Sequence, residues 1–233
     1  MSKTIKIYIL VGSLFLVSCK TNWVIQNQKK ANVNSEVSVR LNSRKTTFGD
    51  LNDTTFVNIK TYSLDFVYDM KYATEDNFLK SKVYDCAECY LRLKTVKSLM
   101  KANTKFMKKG YKIKLYDCYR PLDIQKKMWA IVSNPIYVAN PSKGSIHNRG
   151  GAVDISLVDD NGVELDMGTP FDFFGIEASH NNKNFSKAIL DNRKLLKRIM
   201  LRYKFQSFDS EWWHYNLKNA KVDPVSNFKW KCN

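Results

Sequence analysis

The sequence predicts an α+β fold in which helices flank a mainly antiparallel sheet. Apolar and polar residues alternate in several short stretches, and apolar residues recur at helical spacing in three longer ones. The two kinds of stretch follow each other without the regular alternation that would predict a parallel sheet. With 233 residues, 44% of them hydrophobic, the chain is long enough for one sizeable core.

The first half of the chain predicts a strand, a helix and a second strand. YSLDFVYDM (62–70) alternates apolar and polar residues, which is typical of a strand with one buried face. Apolar residues at helical spacing predict a helix over 90–108, and Gly110 ends it. KIKLYDCY (112–119) predicts the second strand.

The second half predicts two helices, two strands and a tight turn. Pro121 is a natural first helical residue because its ring fixes φ near the helical value. A polar loop follows that helix, and the turn has the sequence DDNG. The ranges are 121–132 and 186–203 for the helices, 152–158 and 212–218 for the strands, and 159–162 for the turn.

The formal net charge of +16 raises the question of a nucleic-acid partner. The lysines are scattered along the chain, however, and no motif of a DNA- or RNA-binding fold is present. We therefore predict no nucleic-acid partner, and interpret the charge as favouring solubility and attraction to anionic surfaces.

The first residues predict export and a lipid anchor. Lys3 and Lys6 precede an apolar run, Ile7 to Val17, that is too short to span a membrane comfortably. The run ends in LVSC, which resembles a bacterial lipobox with Cys19 as the lipid-modified residue. A plain secretory signal or an uncleaved anchor is the alternative.

Three regions follow from this interpretation. Residues 1–18 are a lipoprotein signal peptide, and residues 19–55, rich in Asn, Thr, Ser and Lys, are a flexible tether. Residues 56–233 are the folded domain. The protein would be held at a membrane by its lipid alone, on the periplasmic or cell-surface side.

Four cysteines remain after Cys19: Cys86, Cys89, Cys118 and Cys232. An even number in an exported chain indicates disulfides, with three possible pairings. The C-x-x-C spacing is also found in redox sites and zinc knuckles, but no βαβ context and no second C-x-x-C accompany it. Bonding of Cys86 or Cys89 to Cys118, with Cys232 tying down the tail, is consistent with this pattern.

Two clusters carry candidate metal ligands. His147 lies in the glycine-rich stretch SIHNRGGAVDIS, and Asp154 lies inside the apolar strand that follows. A buried carboxylate needs a cation, strong hydrogen bonds or a proton, so Asp154 taken alone is more typical of a hydrogen-bonded or salt-bridged strand carboxylate. Gly150 and Gly151 allow a tight turn that brings Asp154 back toward His147.

The second cluster is SEWWHYN, which contains Glu211 and His214. On a regular strand this odd spacing would place the two side chains on opposite faces. Glu211 must therefore lie at the loop end of the strand, or at a bulge, if both reach one metal. His180, the third histidine, is interpreted as a surface-loop residue.

These motifs together resemble the zinc D-Ala-D-Ala peptidases that share a metal fold with the Hedgehog signalling domain. The pattern S-x-H-x-x-G-x-A-x-D occurs at 145–154, and E-x-W-H occurs at 211–214. Three further stretches are similar to the D-alanyl-D-alanine dipeptidase branch of that family. They are KYATEDNF (71–78), YDCYRP (116–121) and MGTPFDFF (167–174).

The resemblance implies a role for each matching residue. One zinc ion per chain would be bound by His147, Asp154 and His214, and Glu211 would be the general base. Arg120 would stabilise charge on the tetrahedral intermediate. The free amino group of a dipeptide would bind to Asp172, with help from Ser145.

The resemblance also implies an activity, hydrolysis of D-Ala-D-Ala to two D-alanines. Relatives that destroy this dipeptide act in the cytosol, which an exported protein cannot reach, so we expect wall turnover or salvage instead. A D,D- or L,D-carboxypeptidase acting on wall peptides is one alternative. A non-catalytic zinc-bearing wall-binding module is the other, although Glu211 and Arg120 argue against it.

Overall fold

A computed structural model describes residues 48–232, which contain seven strands and three helices. In chain order the strands are β1 (Phe56–Asn58), β2 (Val67–Tyr68), β3 (Tyr90–Arg92), β4 (Tyr111–Asp117), β5 (Ala152–Asp159), β6 (Phe205–Phe208) and β7 (Glu211–Leu217). The helices are α1 (Leu93–Met107), α2 (Leu122–Ile131) and α3 (Lys187–Arg202).

The five-stranded sheet has the order β2-β4-β5-β7-β6. Its β2–β4 pair is parallel, and its other three pairs are antiparallel. Strands β1 and β3 form a separate antiparallel pair. The predicted α+β class with a mainly antiparallel sheet is therefore confirmed, with one parallel pair at the edge.

The core lies between one face of this sheet and the helices α1 and α3. Helix α1 buries apolar residues at helical spacing, including Val96, Leu99 and Phe106. Along β5, Val153 and Ile155 enter this core. Side chains alternate along a strand, so Asp154 between them points to the opposite face, where a cleft lies.

Several predicted elements need correction. The strand predicted over 62–70 consists only of Val67–Tyr68, because Tyr62 and Ser63 donate their backbone N–H groups to Ile59 and turn the chain. The start of the helix predicted over 90–108 is strand β3, since Tyr90–Arg92 pairs with β1. Strands β1 and β6 were missed because three or four residues are too few to show a period.

Two disulfides among the described residues show which of the three possible cysteine pairings occurs. Cys89 is bonded to Cys118, and Cys86 is bonded to Cys232. The second bond ties the C-terminal segment to the domain, as expected, and Trp230 packs there against Tyr90 at 5.5 Å between ring centroids.

The predicted signal peptide, lipid site Cys19 and most of the predicted tether lie outside the described residues. Its last part, residues 48–55, is described and contacts the domain: Phe48 stacks on Tyr62, and Asp53 pairs with Lys97. The region boundaries stay predictions. Within residues 48–232, no helix has the length and apolar content needed to cross a membrane.

Candidate active site

Strand pairing brings the predicted metal ligands together. Asp154 on β5 lies directly opposite His214 on β7, so their side chains share one face of the sheet. His147 lies in a single turn of 3₁₀ helix that ends at Gly150. Gly150 has φ +67°, and a Cβ there would lie 2.4 Å from the Phe56 ring, so this turn requires glycine.

The three side chains form a compact triangle of ligand atoms. His147 Nε2 lies 3.3 Å from Asp154 Oδ2, and His214 Nδ1 lies 2.9 Å from Asp154 Oδ1. The two imidazole nitrogens are 3.2 Å apart. Tetrahedral zinc with bonds of about 2.0–2.1 Å separates its ligand atoms by roughly 3.3 Å, so the triangle has the size that zinc needs.

The outer nitrogen of each imidazole fixes its protonation pattern. His147 Nδ1–H donates to the Cys118 carbonyl oxygen at 2.6 Å, and His214 Nε2–H donates to Asn216 Oδ1 at 2.9 Å. Both inner nitrogens then present lone pairs toward each other and toward the Asp154 carboxylate. Such an arrangement of acceptors is typical of a cation site.

Electrostatics agree with a negatively charged Asp154. Burial alone would raise the pKa of this carboxyl, but His147 and His214 hold the pKa well below its usual range. For His147, burial would lower the pKa, and the Asp154 carboxylate more than reverses this. Among the described residues, one group of three or more His, Cys, Asp or Glu side chains could hold a metal ion, and it consists of His147, Asp154 and His214.

Glu211 lies beside the triangle, at the loop end of its strand and next to a register shift, the two positions that its spacing from His214 allowed. It is the first residue of β7, and the β6–β7 register shifts between Ser207 and Phe208, which faces it. Its Oε2 lies 3.9 Å from His214 Nδ1. Burial raises the pKa of the Glu211 carboxyl to about 7, which suits a group that accepts and returns a proton near neutral pH.

Arg120 lines the cleft, and a buried ion pair with Asp117 holds its side chain in place. Its Nε and Nη2 donate to Asp117 Oδ2 at 3.1 and 2.7 Å, and its Nη1 donates to Gln125 at 2.9 Å. Both terminal nitrogens keep a second N–H bond for another acceptor. Burial would lower the pKa of the Arg120 guanidinium, but the Asp117 carboxylate more than offsets this and raises the pKa, so the group stays charged.

Asp117 itself was missed by the sequence analysis. It is fully buried at the point where the β4–β5 register shifts, and it pairs with Asp154 across the strands. Its Oδ1 accepts from Tyr84 at 2.8 Å, and its Oδ2 lies 3.6 Å from His147 Nδ1. A carboxylate inside the apolar stretch KIKLYDCY carried the same signal that singled out Asp154.

Asp172 also lines the cleft. It adopts φ +58°, a left-handed conformation that is uncommon outside glycine, and its Oδ2 accepts a hydrogen bond from Tyr72 at 2.9 Å. Burial raises the pKa of this carboxyl to about 8, and nearby Asp154 adds to the effect. The side chain is therefore poised to gain from a cationic partner.

Ser145 lies at the cleft, but its contacts are to Asn148. Its hydroxyl and backbone N–H both donate to Asn148 Oδ1, at 3.0 and 2.7 Å. Asn148 Nδ2 donates in turn to the Arg120 carbonyl oxygen at 2.8 Å. Asn148, which was not predicted from the sequence, ties the SIHNRGG loop to the segment after β4 that carries Arg120.

One cleft of about 460 Å³ collects every predicted catalytic, metal and substrate residue. They are Arg120, Ser145, His147, Asp154, Asp172, Glu211 and His214. Their individual roles stay predictions. The interpretation of His180 as a surface residue is wrong, because this side chain is only 8% exposed and packs near Tyr215.

Comparison with known proteins agrees with this arrangement. The family model described as D-Ala-D-Ala dipeptidase (peptidase M15) matches residues 52–230. The chain belongs to this family. The match includes the whole cleft and excludes the residues on which the predicted lipid anchor depends.

Curated relatives agree with the family assignment. A D-alanyl-D-alanine dipeptidase of Escherichia coli (strain K12) is 33% identical over 183 residues, which cover 78% of this chain and 95% of that protein. One from Enterococcus faecium is 32% identical, covering 65% of this chain and 86% of that protein. A solved structure of the LD-carboxypeptidase LdcB is 23% identical over 57% of this chain and 63% of that chain, with a TM-score of 0.36.

Proposed function

We propose that this chain is a zinc dipeptidase that hydrolyses D-alanyl-D-alanine to two D-alanines. The triangle of His147, Asp154 and His214, with Glu211 beside it, carries the proposal. The relatives named D-alanyl-D-alanine dipeptidase support the choice of substrate. When bound, one zinc ion would polarise the scissile carbonyl and lower the pKa of an attacking water toward 7.

The chain's own residues supply the remaining chemistry. Glu211 takes a proton from the attacking water and returns it to the leaving amine, a step worth roughly 10²–10⁴-fold. Arg120 directs its remaining N–H bonds at the oxygen on which negative charge develops, and such a donor is worth about 2.7–4 kcal/mol.

Recognition of a free dipeptide is assigned to Asp172. Its carboxylate would pair with the substrate ammonium, and this pair relieves the cost of holding the carboxylate in a buried place. An N-blocked or N-extended substrate would leave Asp172 without that partner, so it would be rejected. Ser145, one turn from the metal site, would line the same part of the cleft.

A panel of substrates tests the proposal. We expect the zinc-loaded protein to cleave D-Ala-D-Ala and to leave N-acetyl-D-Ala-D-Ala and N-extended peptides ending in D-Ala-D-Ala intact. Preference for the blocked or N-extended peptides would instead indicate a carboxypeptidase. Absence of hydrolysis across the panel, with zinc bound, would indicate a binding module.

We also propose that the protein is exported and anchored by lipid at Cys19. The sequence MSKTIKIYILVGSLFLVSC and the two disulfides, which persist in oxidising compartments, support this. A Cys19→Ala variant should lose fatty-acid labelling and leave the membrane fraction. Equal labelling of both proteins would contradict the anchor.

An exported dipeptidase would serve salvage of D-alanine or wall turnover. We expect a strain without other D-Ala-D-Ala dipeptidases to need this protein for growth on the dipeptide as sole carbon source. Equal growth of the deletion strain would contradict salvage.

A further inference from the structure

The catalytic cleft has a neighbour that its chemistry does not use. A groove of about 390 Å³, here called the outer groove, adjoins the cleft on the side of Glu211 and Trp213, which line both. Exposed apolar side chains, Phe173 and Ile176, line the outer groove but not the cleft. Asp172 and the metal triangle line the cleft but not the outer groove.

Two aromatic rings line both spaces and meet between them. Tyr137 comes from the loop after α2, and Phe174 comes from the loop that carries Asp172. Their rings are stacked, with centroids 4.4 Å apart and an interplanar angle of 22°. Phe78 also contacts Phe174 edge-on, with ring centroids 5.1 Å apart. Rings in van der Waals contact leave no room for a peptide between them.

The order of groups in the cleft gives the bound dipeptide a direction. With its ammonium at Asp172 and its carbonyl at the metal triangle, its leaving amine lies toward Glu211. Since Glu211 lines both spaces, the residue after the scissile bond is placed on the side of the outer groove. In this placement the Tyr137–Phe174 stack lies beyond the substrate's C-terminal end.

We propose that Tyr137 and Phe174 determine specificity by closing the C-terminal end of the cleft. They restrict the substrate to one residue after the scissile bond, and without them the outer groove would take further residues. The substrates gained would be peptides that start with a free D-alanine and are extended at the C-terminus. This inference rests on the proposed dipeptidase activity.

Opening the stack tests the inference. The zinc-loaded wild type, Tyr137→Ala and Phe174→Ala are compared on D-Ala-D-Ala, D-Ala-D-Ala-Gly and N-acetyl-D-Ala-D-Ala. Cleavage of the first bond of the tripeptide is identified by its product D-Ala-Gly. The readout is the ratio of kcat/KM for the tripeptide to kcat/KM for the dipeptide.

We expect each alanine variant to raise this ratio by about tenfold or more, the range in which a small change of pocket volume alters discrimination. The N-acetylated dipeptide should stay resistant, because Asp172 still requires an ammonium. Tyr137→Phe keeps the stack and should keep the wild-type ratio. Phe173→Ala, which removes a similarly exposed ring from the outer groove alone, is the matched control.

Three results would contradict the inference. The ratio could stay at the wild-type value in both alanine variants, whose folding is checked by thermal melting. The alanine variants could instead gain kcat/KM for the N-acetylated dipeptide, which would place the stack at the N-terminal end of the substrate. Phe173→Ala could raise the ratio as much as Phe174→Ala does. A wild type that leaves D-Ala-D-Ala intact would contradict the proposed function itself.

Discussion

Replacing Asp117 by asparagine should weaken both the fold and the reaction. Asp117 is fully buried, accepts two hydrogen bonds from Arg120 and one from Tyr84, and does not line the cleft. Asparagine has the same shape but no charge. The change therefore removes the counter-charge of a guanidinium that is itself only 8% exposed.

The magnitude follows from this burial. Breaking a buried ion pair by removing one partner costs about 3–5 kcal/mol, because the other charge stays buried. For a domain of this size each kcal/mol lowers Tm by about 2–4 °C, so Asp117→Asn should melt roughly 6–20 °C below wild type. If Arg120 also loses its orientation, kcat should fall by about 10²–10³-fold.

Thermal unfolding and steady-state kinetics on D-Ala-D-Ala measure the two effects. Metal content should stay near wild type, since the Cys118 carbonyl, at 2.6 Å, is the partner that holds His147 Nδ1. The matched control is Asp53→Asn, whose exposed pair with Lys97 is worth about 0–1 kcal/mol. Tm and kcat both unchanged in Asp117→Asn would refute a positioning role for Asp117.

Three further changes test other parts of the site. Glu211→Ala should retain zinc and lose about 10²–10⁴-fold in kcat; equal turnover would exclude Glu211 as the base. Activity needs ionised Asp172 and Glu211, so kcat/KM for D-Ala-D-Ala should rise with pH up to about 8, and in Asp172→Asn up to about 7 only. An unshifted pH profile would separate Asp172 from substrate binding. Replacing Cys89 and Cys118 by serine removes a disulfide between residues 29 apart, which should lower the free energy of unfolding by roughly 3–4 kcal/mol. It should also loosen the Cys118 carbonyl that orients His147. We expect a lower Tm and weaker zinc retention in dialysis.

Periodicity in the sequence predicted the elements that build the core. Strands β4, β5 and β7 and all three helices lie within a few residues of their predicted ranges, because each is long enough to repeat its pattern. The strand predicted over 62–70 was wrong, since a turn at Tyr62 and Ser63 decided the backbone there. Strands β1 and β3 depend on each other's pairing, which no local pattern contains.

Short motifs predicted which residues gather in the cleft, because their spacing is local. His147 and Asp154 are joined by one turn, and a single strand carries Glu211 and His214. Contacts between distant segments were not predictable in the same way. The Tyr137–Phe174 stack joins two loops without periodicity, and the disulfide pairing was one of three until the fold placed Cys89 beside Cys118.

Anomalous diffraction from crystals at the zinc absorption edge tests the central claim most directly. We expect one strong peak per chain, about 2.0–2.2 Å from His147 Nε2, Asp154 and His214 Nδ1. A zinc-loaded crystal with no peak between these three side chains, or with its peak elsewhere, would contradict it.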